Sequence, residues 1–169
     1  MKYSPILSIL LALLLLPESF AQQHRIEEFK KKIAEMEEST KMVTALINLT
    51  NFYYYKGSED SARLTIDRAM ELSRKLNDKS GEAKCYWKLS DLALNTDIKL
   101  AKTYLFTSLD LSHQSGNDYT IAGTYNNLGY YYLYYVSNQK DSSRYYLEKS
   151  LEVNDGRFSN RAQYSYRFL

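Results

Sequence analysis

The sequence is poor in the residues that break helices, cross-link secreted folds or bind metals. Its 169 residues include two Pro, both within the first 17 positions, one Cys and two His. A lone Cys cannot form an internal disulfide, which excludes the disulfide-stapled secreted folds. No group of Cys and His has the spacing of a metal site, and no Gly-rich phosphate loop is present. We therefore predict no metal and no cofactor.

An excess of charge of one sign is also lacking. The chain has 22 basic and 20 acidic residues, a net charge of +2, and the two signs are interspersed without a basic stripe. This balance argues against nucleic acid as a partner. Cys85 would need a basic partner to act as a nucleophile, and the two histidines are His24 and His113. We predict that Cys85 is a small buried apolar group and that the protein is not an enzyme.

A hydrophobic run occurs at the N-terminus alone. Apolar residues extend from Ile6 to Leu16, Pro17 then breaks the helix, and Ser19 and Ala21 are small residues where a signal peptidase inspects the chain. The run is much shorter than the roughly 20 apolar residues of a membrane span. We predict a signal peptide cleaved after Ala21, an exported chain (periplasmic or secreted), and no transmembrane span after cleavage. A membrane anchor is the alternative.

The sequence does contain internal repetition, visible in two columns of matching residues. Leucines form the first column: Leu49, Leu89 and Leu128. Small residues form the second: Ala69, Ser108 and Ser150. Both columns keep a period of about 40 residues, within the range of helical-repeat families. Around each column, apolar and small residues follow the i, i+4, i+7 spacing of one helix face. This pattern predicts an array of helix pairs, and it outweighs the strand preference of the 17 Tyr residues.

Turn-forming residues separate the predicted helices. Gly57 is a predicted helix stop and Ser58 the N-cap of the helix that follows. Between repeats, "NDKSGE" and "QSGND" are rich in turn residues, with Gly81 and Gly116 at matching places. Gly129, directly behind the leucine column, predicts a close crossing of two helices.

The third copy resembles the tetratricopeptide repeat (TPR) family. Tyr125, Leu128, Gly129 and Tyr132 match the spacing of the family signature, aromatic-x2-Leu-Gly-x2-Tyr. The resemblance covers positions 40–169. The period exceeds the family's usual length of about 34 residues, and the closing proline of the family is absent. The chain is most similar to the longer-repeat variety of exported bacterial proteins, as in the N-terminal sensor regions of TPR-containing histidine kinases and regulators.

This resemblance implies an all-α fold, a right-handed α-solenoid of antiparallel helix pairs with about three repeats and a partial fourth. The predicted order is a signal peptide, a helical leader, three repeats and the partial first helix of a fourth: 1–21, 22–39, 40–80, 81–117, 118–157 and 158–169. In the leader, Ile26, Phe29 and Ile33 lie on one face of the helix.

In this family the first helices of the repeats line a concave groove and the second helices form the convex back. Tyr53, Tyr125 and Tyr132 occupy signature columns and are predicted to lie in the core. The residues that match the groove columns form a predicted peptide-binding groove: Asn51, Tyr54, Tyr55, Lys84, Trp87, Lys88, Asp91, Asn126, Asn127, Tyr130 and Tyr134. Aromatic rings give large contact area at a small entropy cost, and asparagines bond to a peptide backbone. The alternative is that these rings only pack against the first helix of the next repeat.

The function implied is that of a non-enzymatic module that binds a protein or peptide in its groove. The alternative is the truncated N-terminal sensory region of a TPR-containing signalling regulator, a histidine kinase or a transcriptional regulator, because the chain stops inside a predicted first helix. Self-association through that uncapped C-terminal end is a further interpretation. Some family members hold the C-terminal carboxylate of a peptide. Asp91 occupies one of the columns involved and would repel a carboxylate, which argues against that mode here.

Overall fold

The structure of the protein is a computed structural model that describes residues 23–154. All secondary structure in this range is helical, and no strand occurs in it. Residues 23–34 form α1. Six more helices follow: α2 (Thr40–Tyr55), α3 (Glu59–Lys75), α4 (Lys79–Ala93), α5 (Ile98–Ser115), α6 (Asp118–Tyr134) and α7 (Lys140–Asn154). The predicted all-α fold is confirmed. The predicted signal peptide with its cleavage site at Ala21 lies outside the described residues, as does the predicted partial helix at 158–169.

The chain divides into two compact units, Met1–Glu37 and Glu38–Leu169. The first unit contains α1, in which Ile26 and Ile33 are buried and Phe29 is half-buried, in line with the predicted apolar face. The second unit contains α2 to α7 and the repeats.

Within the second unit, the helices pack as three successive pairs. The contacts are most extensive between α2 and α3, between α4 and α5, and between α6 and α7. The backbones of the first helices also approach one another, α2 with α4 and α4 with α6, whereas within α2 to α7 no such backbone approach joins α3 to α5 or α5 to α7. Helices α5 and α7 meet through side chains, with the rings of Phe106 and Tyr146 6.3 Å apart. The array is a helical-repeat solenoid. Because its first helices lie closer together than its second helices, the first helices are on its inner side.

Side-chain caps explain where several helices begin. The carboxylates of Asp78 and Asp97 accept the backbone N–H groups that open α4 and α5, each at 2.9 Å. Asn117 caps α6 in the same way at 3.0 Å. Ser58 is the N-cap of α3 by position, as predicted, but its side chain makes no cap hydrogen bond.

The two glycines expected at matching turns differ in the structure. Gly116 ends α5 in the left-handed conformation, with φ +61°. Gly81 instead lies in the first turn of α4, where an added Cβ would lie 2.5 Å from Asp78 Oδ2. The left-handed position after α3 belongs to Asn77, with φ 54°, because asparagine tolerates this conformation better than most residues. The matching of Gly81 with Gly116 was therefore wrong.

The leucine column and the small-residue column both lie in the core. Leu128 is fully buried, and Leu49 and Leu89 are 5% and 8% exposed. The hydroxyl of Ser108 donates to the carbonyl of Ala83 at 2.8 Å, joining α5 to α4.

An equivalent hydrogen bond recurs one repeat later. Ser150 of α7 donates to the carbonyl of Ala122 of α6, also at 2.8 Å. The same hydrogen bond between the second and first helix of a pair therefore recurs at the repeat period. The predicted close crossing at Gly129 is confirmed, because a Cβ there would lie 2.5 Å from Leu147 Cγ of α7.

Candidate functional site

A cavity of about 310 Å³ lies between the C-terminal halves of α4 and α6, with α5 contributing one residue. We call it the tyrosine cavity. Its lining residues are Ser90, Asp91, Leu94, Leu105, Asn127, Tyr130, Tyr131, Tyr134 and Tyr135. Four of the predicted groove residues are thus brought together: Asp91, Asn127, Tyr130 and Tyr134.

The four tyrosines of the cavity form two stacked pairs along α6. Tyr130 and Tyr134 have ring centroids 5.8 Å apart and planes 13° apart, because residues four positions apart share one helix face. Tyr131 and Tyr135 form the second pair, at 6.4 Å and 19°. Tyr131 is 4% exposed and donates its hydroxyl to the carbonyl of Ile98 at 3.2 Å, while Tyr134 is 65% exposed. The tyrosines therefore extend from the core to the solvent.

Tyr131 and Tyr135 are the lining tyrosines that the sequence interpretation missed. Tyr131 lies three positions after Leu128, so the helical spacing places it on the core face. Tyr135 follows four positions later. Signature matching passed over both, because neither occupies a signature or groove column.

Two neighbouring amides of α6 have buried polar atoms that find no hydrogen-bond partner in the described part of the chain. Asn127 Nδ2 is buried and has no hydrogen-bond partner among the described residues, and Asn127 lines the cavity. Asn126 Oδ1 is in the same condition, and the residue is 7% exposed. A buried polar group left unpaired costs about 1–3 kcal/mol, so such atoms are rare in native structures and require an explanation.

Asp91 carries the charge of the cavity. Its Oδ2 accepts a hydrogen bond from Lys88 Nζ at 3.0 Å. Lys88 Nζ also lies 5.0 Å from the Trp87 ring centroid. Burial, and after it the charge of Asp91, raises the pKa of the Tyr54 phenol. Tyr54, on α2, therefore lies within electrostatic range of the Asp91 carboxylate.

Trp87 and Lys84 do not line the tyrosine cavity. The Trp87 ring packs against α6, since a Cβ at Gly123 would lie 2.9 Å from its Cζ3 atom. This is the contact expected from the alternative interpretation, in which a ring packs on the next first helix. Lys84 Nζ lies 5.7 Å from the ring centroid of Tyr119.

The predicted groove residues of α2 also lie outside the lining of the cavity. Asn51 is half-buried. Tyr54 and Tyr55 meet edge to face, with centroids 5.6 Å apart, and Tyr55 is 78% exposed. Both rings are nevertheless on a first helix, and the charge of Asp91 contributes to the raised pKa of Tyr54.

The tyrosines predicted in the core are half-buried rather than fully enclosed. Tyr53, Tyr125 and Tyr132 all have intermediate exposure. The Tyr125 hydroxyl lies 3.1 Å from His113 Nε2, and the Tyr132 ring stacks on Tyr146 at 5.5 Å. These rings pack between helices and keep their hydroxyl edges near polar groups or solvent.

The described residues offer little other chemistry. Within 23–154, no three His, Cys, Asp or Glu residues are grouped as metal ligands. No helix of this part of the chain is long and apolar enough to cross a membrane. Cys85 is buried, and burial raises the pKa of its thiol to about 12, which keeps it protonated and unreactive.

The fold places the chain in the class of helical-repeat solenoids, and solved structures share that fold. A crystal structure of BtubC (BKLC) from P. vanneervenii is similar with a TM-score of 0.64 and 14% sequence identity, covering 90% of this chain and 70% of that one. At this identity the likeness concerns the fold alone. No protein-family model and no curated protein sequence matches the chain.

Proposed function

We propose that this chain is a non-enzymatic, TPR-like module that binds a protein or peptide segment at the tyrosine cavity. The observation that carries the proposal is Asn127, whose buried amide donor has no partner within residues 23–154 although it lies in a cavity lined by four tyrosines. The backbone carbonyls of an extended segment supply the acceptors that such a donor needs. Tyrosine rings are frequent anchors at binding surfaces because they give large contact area at a low entropy cost.

Membership of the TPR family is supported by the signature spacing of the third copy. Leu128 and Gly129 are both buried, and Gly129 lies against Leu147 of the paired helix. The inner position of the first helices supports a groove on that side, where Asp91, Asn127 and Tyr130 lie.

Export is part of the same proposal and is supported by the sequence of residues 1–21. Mass spectrometry of the protein isolated from the cell envelope and the medium tests it. We expect a mature N-terminus at residue 22, and an intact N-terminus beginning at Met1 would contradict export by cleavage.

A pull-down from envelope extract with residues 22–169 tests the binding function. We expect the Tyr130→Ala, Tyr134→Ala double variant to lose the proteins that the parent retains, at unchanged helicity in circular dichroism. Synthetic peptides that tile each retained protein then give the dissociation constants.

Tyr145→Ala is the matched control, because this tyrosine is 53% exposed on α7 and lies outside the cavity. It should bind as the parent does. Equal binding by the cavity variant and the parent, or loss of binding only in the control, would contradict the proposal.

A further inference from the structure

We infer that the tyrosine cavity takes a cationic side chain, a lysine or arginine of the bound segment, which Asp91 and the tyrosine rings hold together. The inference rests on the proposed function and names the chemistry that the same site selects.

The charge of the cavity favours a cation. Asp91 is the charged residue among the described lining residues, and the others are apolar, amide or hydroxyl side chains. Lys88, its ion-pair partner, does not line the cavity and donates to Oδ2. Because an ionised carboxylate has about four acceptor sites, Asp91 can accept a second donor beside Lys88. Lys88 offsets part of the charge of Asp91, but it lies outside the lining, so a cation that enters the cavity meets the carboxylate at short range and is attracted to it.

The rings add a second attraction for the same class of ligand. Four tyrosines line the cavity beside Asp91. Burial first, and then the charge of Asp91, raises the pKa of a fifth tyrosine, Tyr54. An aromatic face within about 6 Å of a cation attracts it, and cages of several rings are a known means of binding ammonium groups. One carboxylate surrounded by rings thus matches a lysine or arginine better than a neutral polar side chain.

Asn127 selects the group of the ligand that lies beside the cation. Its Nδ2 is a donor and cannot pair with an ammonium or guanidinium group, so it requires an acceptor such as a peptide carbonyl. At about 310 Å³ the cavity is at the small end of ligand sites, which fits one side chain and an adjoining peptide group. A purely apolar side chain would leave the Asn127 amide donor buried without a partner and give Asp91 nothing beyond its bond from Lys88, which is unfavourable.

Selection from a library of random heptapeptides tests the inference, with residues 22–169 as the target. The parent, Asp91→Asn and the Tyr130→Ala, Tyr134→Ala variant are compared under the same conditions. We expect the parent to enrich peptides with lysine or arginine at one position. In a synthetic copy of a selected peptide, replacing lysine with norleucine, or arginine with citrulline, should weaken binding to the parent about tenfold or more.

The same replacement should change binding to Asp91→Asn much less, because the carboxylate that distinguishes the two peptides has been removed. Lys88→Gln provides a variant with the opposite effect. Without Lys88, both carboxylate oxygens can bind the ligand, so the basic peptide should bind severalfold more tightly than to the parent. This gain should decrease as the salt concentration rises.

The possible results separate the inference from the function on which it rests. Peptides that depend on Tyr130 and Tyr134 but carry no basic residue would overturn the cationic pocket and leave peptide binding intact. Equal affinity of the parent and Asp91→Asn for the basic peptide would do the same. If no peptide is selected, or if the tyrosine variant selects the same peptides as the parent, the proposed function fails and the inference fails with it.

Discussion

Gly129 has no side chain, so the side chain of Leu147 packs directly against its Cα and α6 approaches α7 closely. We expect Gly129→Ala to lower the free energy of unfolding by about 1–2 kcal/mol. Overpacking of a filled site costs about 1–3 kcal/mol, and the better helix propensity of alanine offsets up to about 1 kcal/mol of it. Urea unfolding followed by circular dichroism measures the change.

A second variant separates the clash from other effects at this position. In a Leu147→Ala background the added methyl group has room, so Gly129→Ala should become neutral or stabilising there. An equal loss in both backgrounds would show that Leu147 is not the cause.

We expect the buried thiol of Cys85 to make the free energy of unfolding depend on pH above about pH 9. Burial raises the pKa of its thiol from an ordinary value near 9 to about 12. The unfolded chain therefore loses this proton at a lower pH than the folded chain does. The stability that the neutral thiol contributes is complete below pH 9 and declines as the pH rises toward 12, by up to about 1.4 kcal/mol per pH unit.

Cys85→Ala is the comparison that isolates this group, because lysines and tyrosines titrate in both proteins. Denaturant unfolding between pH 8 and 10.5 should show the free energy of the parent falling relative to that of the variant as pH rises. Parallel curves would contradict the assigned pKa.

Residue by residue, the sequence predicts burial better than it predicts contacts. Gly129 and Leu128 were predicted correctly because a column shared by several repeats reports a packed position. Trp87 shows the limit. Its column assigns it to the groove face of α4. Its ring instead packs against α6, because Gly123 on that helix has no side chain. A pattern within one helix does not contain that information.

Among the helices, the N-caps provide a matched pair for testing. The Asp97 carboxylate accepts from the backbone N–H of Leu100 at 2.9 Å, whereas Ser58 makes no side-chain cap bond. We expect Asp97→Ala to lower the free energy of unfolding by about 1 kcal/mol, from the lost cap and the lost negative charge at the helix N-terminus. Ser58→Ala should cost a few tenths of a kcal/mol or less.

Thermal and urea unfolding of the two variants beside the parent measure the difference. Similar losses at the two positions would mean that the cap geometry of α5 does not contribute as the structure indicates.

Helix ends were predicted where a cap or a left-handed residue has a clear chemical signal. Gly57 and Gly116 both have positive φ and follow helices, as expected of glycine. Gly81 misled the interpretation because a glycine at a helix start resembles one in a turn. Asn77 performs the left-handed role in that joint, and asparagine is a weaker signal than glycine for this conformation.

For the molecule as a whole, the repeat period shared by the leucine and small-residue columns is sufficient to predict an all-α array of pairs. The tyrosine cavity is not predictable in the same way. Its volume depends on how far α4 lies from α6, and the two helices meet where the Trp87 ring packs at Gly123. Four groove residues nevertheless converge on it, because the first helices share one side of the array.

In the described array, close backbone approaches join each helix only to helices one or two places away, and none joins α2 to α6 or α7. Such local connectivity gives a low contact order, which is typical of fast folding. We expect the same connectivity to make the array elastic. A small rotation between neighbouring pairs would add up along α2 to α7 without breaking a distant backbone contact, so the inner face could widen or narrow around segments of different thickness while each pair keeps its own core.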